Sequence, residues 1–166
     1  MSSFQGLPTQ VIDNGLIKLE FLTEAGPRIV RLSAFGKGNL FADISSCVHT
    51  EYGNFFFRGG HRLWHAPEIM PDSYYPDNDG LSIKELPDGV CLIGSSVKAI
   101  GITKIMEIHL PDGKPLVLVK HLLKNDSISI IELAPWALTM FRLGGTVVLP
   151  QPIANADQNG LLNNRI

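Results

Sequence analysis

The segment FFFRGGHRLWHAPE, residues 55–68, concentrates the side chains of this chain best suited to chemistry: His61, His65, Arg62, Trp64 and Glu68. On a strand, His61 and His65 share a side because side chains alternate with period two. Glu68 or His109 would then complete a nitrogen and oxygen ligand set for a metal ion. Two features weigh against a metal: HRLWH is neither HExxH nor a His-x-His pair, and the Arg62 charge repels a cation. The favoured reading has no metal and no cofactor, and a His-rich metal-binding β protein stands only as an alternative.

The same residues suit a sugar. Carbohydrate sites stack the apolar face of the ring on an aromatic plane and hold its hydroxyls with arginine, amide and carboxylate groups. Arg62 and Trp64 are two apart, so a strand presents both on one face, with His61 and Leu63 on the other. Downstream, the proline-bounded stretch PDSYYPDND adds Tyr74, Tyr75, Asp77 and Asn78 in a loop, where binding groups tend to sit. A core tryptophan beside a solvated turn would give the same residues.

The remaining ionisable groups carry less. Glu132, inside SIIELAPW, has to be paired, ligand-facing or at a sheet edge, since an apolar run otherwise penalises its charge. Glu107 and His109 share a strand face and read as solvated, whereas His121, in line with Val117, Val119 and Leu123, reads as a buried and hydrogen-bonded histidine. Cys47 and Cys91 are too few for a disulfide framework or zinc motif and read as buried thiols. FGKGN lacks the spacing of a phosphate loop, and there is no Gly-x-Ser-x-Gly, so nucleophilic catalysis has no support.

The elements that must position these groups are β throughout. VIDNGLIKLEFL sets Asn14-Gly15 between two apolar runs, the signal of a hairpin with a type I′ turn. RIVRLSAFG and NLFADI read as short strands, and residues 81–133 as a meander punctuated by two Leu-Pro-Asp-Gly turns 24 residues apart. Along ITKIMEIHL, Ile102, Met106, Ile108 and Leu110 share one face while Thr103, Glu107 and His109 share the other, the pattern of a half-buried antiparallel strand. No capped amphipathic helix is visible, so the expected fold is an all-β antiparallel β-sandwich.

At 166 residues, with 45% hydrophobic and 18% charged residues, the chain has the composition of one globular domain. A net charge of -2 gives no basic footprint for nucleic acid or an anionic membrane surface. MSSFQGLPTQ has no leader pattern, and no run nears the roughly 18 apolar residues of a membrane span. The expectation is a cytoplasmic protein that partners neither nucleic acid nor membrane.

Taken in order, FRGGHRLWHAPE, YYPDN, PDGVCLIG, MEIHLPDG, LLKNDSISIIELAPWALTMFRLGG and LPQP resemble the galactose mutarotase-like (aldose 1-epimerase-like) superfamily from about residue 10 onward. The resemblance implies a β-supersandwich with a sugar cleft on one sheet, and it adds Trp136 to Arg62, Trp64, Tyr75, Asp77 and Asn78 as sugar-contacting residues. In that family a histidine acts as general acid after the Asn-Asp turn, where LAPWAL here has Ala134. The general base comes from a later half, and the supersandwich needs roughly 270 residues, so the chain resembles an N-terminal half whose closing NNRI begins another strand. Uncovered sheet surface then implies a homo-oligomer. The implied function is binding of an aldose or related sugar without turnover. The alternative is an active epimerase in which His61 or His65 replaces the acid and Glu132 is the base.

Overall fold

The computed structural model describes residues 2–97 and 100–149. Among the described residues there are eleven strands: β1 (Ser2–Phe4), β2 (Leu7–Asp13), β3 (Ile17–Leu22), β4 (Arg28–Ala34), β5 (Asp43–Thr50), β6 (Gly53–Ala66), β7 (Ser82–Leu86), β8 (Gly89–Ile93), β9 (Ile102–His109), β10 (Leu118–Asn125) and β11 (Ala134–Met140). A single 3-10 turn, Asp72–Tyr74, is the only helical element among the described residues. The strands form two antiparallel sheets. The larger runs β1-β2-β3-β4-β6-β11 with β5 alongside β6, and the smaller is the meander β10-β9-β8-β7.

This is the expected all-β sandwich. Ile17, Leu19, Phe21, Ile29 and Leu63 of the larger sheet pack with Leu92, Met106 and Ile108 of the smaller in one buried cluster. Alternation places them there: Ile17, Leu19 and Phe21 are every second residue of β3, and Met106 and Ile108 are every second residue of β9. Burial of such side chains stabilises by about 1.5–3 kcal/mol each. Among the described residues no helix is long and apolar enough to cross a membrane.

The Gly-Gly step of the opening segment shapes the site. β6 passes through three consecutive positive φ values at Arg58, Gly59 and Gly60 (59°, 77° and 68°). Before this bend it pairs with β5, and after it with β4 and β11. A Cβ at Gly59 would lie 2.0 Å from the Ala42 carbonyl oxygen, and one at Gly60 would lie 2.0 Å from that of Ile29. Only glycine admits both the backbone conformation and the close approach.

Two local expectations change. Asn14 is not among the residues with positive φ, whereas Gly15 is at 83°. Asn14 N–H donates to the Ile17 carbonyl at 3.1 Å, so the central pair is Gly15-Leu16, the placement of glycine in a type II′ turn. The Asn14 side chain accepts from Leu16 and Ile17 N–H instead of setting the turn through its own φ. NLFADI forms no strand of its own: Phe41 makes one isolated bridge to Phe141, and the ladder starts at Asp43. Asn39 satisfies the neighbouring backbone, accepting from Leu32 and Phe41 N–H. The strand expected at NNRI lies outside the described residues.

Candidate functional site

Arg62 and Trp64 do share a face, opposite Leu63 in the core, but that face is closed. Arg62 is 1% and Trp64 4% exposed. The Arg62 guanidinium carbon lies 4.2 Å from the ring centres of both Phe55 and Trp64. Trp64 is boxed in by Phe55 (5.7 Å), Tyr74 (5.2 Å) and its cross-strand partner Trp136 (5.3 Å). The bend at residues 58–60 carries the first half of β6 away from the ladder, and its Phe55 covers the second half. The open sugar platform expected at Arg62 and Trp64 is therefore an aromatic layer of the interior. Trp136 is its half-buried edge.

Beside this layer is a network of buried charge. Arg28, fully buried, donates through Nη2 to Asp77 Oδ2 at 2.7 Å and through Nη1 to the carbonyls of Phe56 and Phe57. Arg58 donates to Asn78 Oδ1 at 3.2 Å, and Asn78 donates in turn to the Asn54 carbonyl at 2.8 Å. Asp77 and Asn78 thus clamp two arginines. Burial would raise the Asp77 carboxyl, but Arg28, Arg62 and Lys104 outweigh it and hold the group at about 2. Burial, then Arg28 as a like charge, lowers the Arg62 guanidinium. A guanidinium nonetheless stays charged at neutral pH. Arg62 Nε and Nη1 have no hydrogen-bond partner among the described residues.

The histidines divide. His61 Nε2 meets His121 Nε2 at 2.7 Å across the two sheets, one ring donating to the other, and its Nδ1 bonds the Thr139 hydroxyl at 2.7 Å. Burial, then His121, lowers the His61 imidazole to about 4, and burial lowers His121. His121 is the satisfied histidine expected, although only half-buried. Glu68 accepts from the Tyr74 hydroxyl, His109 pairs with Asp88 at 2.6 Å, and Glu107 pairs with Lys120 at 3.1 Å. Among the described residues no three His, Cys, Asp or Glu side chains are placed to hold a metal ion. Both cysteines are free, Cys91 buried and Cys47 half-buried.

His65 is different. It is buried, its Nδ1 has no partner among the described residues, and it walls a pocket of about 670 Å³. Glu132, exposed on the segment before β11, is in the same wall, along with Asp72, Asp126, Ser127 and Ser129 and an apolar part formed by Ile69, Ile102 and Ile131. Burial, then Lys104, lowers the His65 imidazole, which favours the neutral ring, a proton acceptor, at pH 7. A second pocket of about 380 Å³ is walled by Tyr75, Asp77 and Lys104, and Ser96 belongs to both pockets.

The structure thus places His65 and Glu132 around one pocket and Tyr75 and Asp77 around the other. Arg62, Trp64 and Asn78 line neither pocket, and His61 is committed to His121. Sequence reasoning missed Lys104 and Arg28. Lys104 falls in the buried row of β9 with Ile102, Met106 and Ile108, and a lysine at that parity was the available signal. The chain matches no protein-family model, no curated protein and no solved structure with which it was compared.

Proposed function

We propose that this chain is a carbohydrate-binding β-sandwich, a degenerate galactose mutarotase-like domain, with its sugar site in the two adjoining pockets on either side of Ser96. The observation that carries the reading is the meeting of His65 and Glu132 in one wall with serine hydroxyls, acidic groups and an isoleucine surface. A sugar presents the matching alternation of hydroxyl rim and apolar ring face. Tyr75 and Asp77, in the neighbouring wall, supply an aromatic ring and a fixed acceptor. Arg62 and Trp64 serve as the rigid layer under this surface rather than as direct contacts. Self-association, favoured by exposed apolar side chains at Ile128, Ile130, Leu143 and Val148, belongs to the same proposal.

His65 and Glu132 also favour a second reading, an aldose 1-epimerase type of isomerase. A histidine and a glutamate in one pocket can open and reclose a hemiacetal when one of the two carries the proton and acts as acid while the other acts as base. Calorimetric titration with a panel of neutral and anionic monosaccharides tests binding, and following anomer exchange by NMR tests turnover. Binding that weakens about tenfold or more in His65→Ala, with no acceleration of exchange, is expected. Accelerated exchange lost in both His65→Ala and Glu132→Gln would establish the isomerase. A panel in which no sugar binds would remove both readings.

A further inference from the structure

We propose that the smaller pocket receives the carboxylate or phosphate of an anionic sugar, with the Lys104 ammonium as its direct contact and Arg28 and Arg62 adding to the positive field. This inference rests on the sugar-site reading above and names the class of sugar.

Lys104 is 8% exposed, walls the pocket, and makes no hydrogen bond or ion pair among the described residues. Burial of an ammonium is costly, and the charge of Asp77 is what offsets it here. The surroundings make the cost greater. Three buried cations, Arg28, Arg62 and Lys104, act on one carboxylate, Asp77, whose Oδ2 takes Arg28 at 2.7 Å and whose Oδ1 has no hydrogen-bond partner among the described residues. Asp79, the other acid in the wall, is exposed at the rim.

Positive charge in excess, held in a concave and partly dry place, is what a site for an anion requires. Burial is the largest influence on Lys104 and lowers it to about 8, which leaves it mostly protonated at pH 7. The rest of the wall leaves room for a small oxyanion, since Gly26, Gly80 and Gly94 bring no side chains to it. The Ser95 hydroxyl already donates to the Gly80 carbonyl at 3.0 Å, which leaves Lys104 as the donor to the anion. Because Ser96 also walls the larger pocket, a sugar ring beside His65 can carry its anionic substituent toward Lys104.

The full chain is titrated with glucose, glucuronate, glucose 6-phosphate and inorganic phosphate at constant ionic strength, as wild type, Lys104→Met and Lys104→Arg. At least one anionic sugar is expected to bind about tenfold or more tightly than glucose, and this ratio is expected to collapse in Lys104→Met and to survive in part in Lys104→Arg. Glucuronate and glucose 6-phosphate separate carboxylate from phosphate recognition. Glucose binding as tightly as both anionic sugars would overturn the inference and leave the sugar reading standing. Phosphate binding that depends on Lys104, with no sugar bound, would uphold the anion site and remove the sugar reading. An anion preference unchanged in Lys104→Met overturns the assignment of Lys104. Should Lys104→Met not melt cooperatively, the wild-type ratio of anionic to neutral sugar decides the matter alone.

Discussion

The carboxyl of Asp77 lies where burial and three nearby cations act in opposite directions, and the cations prevail. Removing it by Asp77→Asn leaves the buried Arg28 guanidinium without a counter-charge, with only the Phe56 and Phe57 carbonyls, a change that costs about 3–5 kcal/mol. Chemical denaturation at pH 7 should show that loss. The pH dependence has a fixed sign. The Asp77 group is held at about 2 when folded, below its value in the unfolded chain, so its stabilising contribution is complete above roughly pH 4 and lost as pH falls toward 2. His61 acts in the same direction at higher pH. Held at about 4 when folded against roughly 6.5 unfolded, it favours the unfolded chain progressively as pH falls from about 6.5 to 4. The folded protein should therefore weaken first on mild acidification, by on the order of 2 kcal/mol from this histidine. A His61→Gln variant should flatten that part of the curve, and equal slopes in both proteins would show that the His61–His121 contact is not the cause.

β6 uses one continuous strand in two ladders, and the bend between them is its most demanding point. Gly60→Ala must hold φ near 68° with its new Cβ 2.0 Å from the Ile29 carbonyl oxygen. A loss above about 4 kcal/mol, or failure to fold, is expected. Gly36→Ala has a similar φ of 67° but nothing within 4 Å, so it should cost only about 1 kcal/mol. Comparable melting temperatures for the two variants would contradict the account of the bend.

The same strand shows which features were legible in the sequence. Period-two alternation was enough to put Arg62 and Trp64 on one face, and the Leu-Pro-Asp-Gly turns with ITKIMEIHL marked the meander of β7 to β10. Whether the Arg62 face was open was not legible, because the cover comes from Phe55 before the bend and Tyr74 after the ladder. Nor does any local pattern carry Glu132 toward His65, which depends on the long-range pairing of β11 with β6, or Lys104 toward Asp77, which depends on how the sheets are stacked.

At the scale of the molecule, two packed sheets bury a core between them, yet Ile128, Ile130 and Leu143 are fully exposed and Leu149 and Val148 nearly so. Exposed large apolar side chains favour association where they form a common surface. Sedimentation at micromolar concentration is expected to show a dimer or larger species, and a stable monomer would contradict this part of the proposal. The central claim is that the two pockets around Ser96 form a sugar site. An amide NMR titration with glucose, glucuronate and glucose 6-phosphate tests it most directly. The account predicts saturable shifts at His65, Tyr75, Ser96, Lys104, Ser127 and Glu132, with the aromatic layer at Phe55 and Trp64 responding weakly. No saturable shifts with any of the three, or shifts confined to the β2–β3 hairpin and the outer edge of β10, would contradict it.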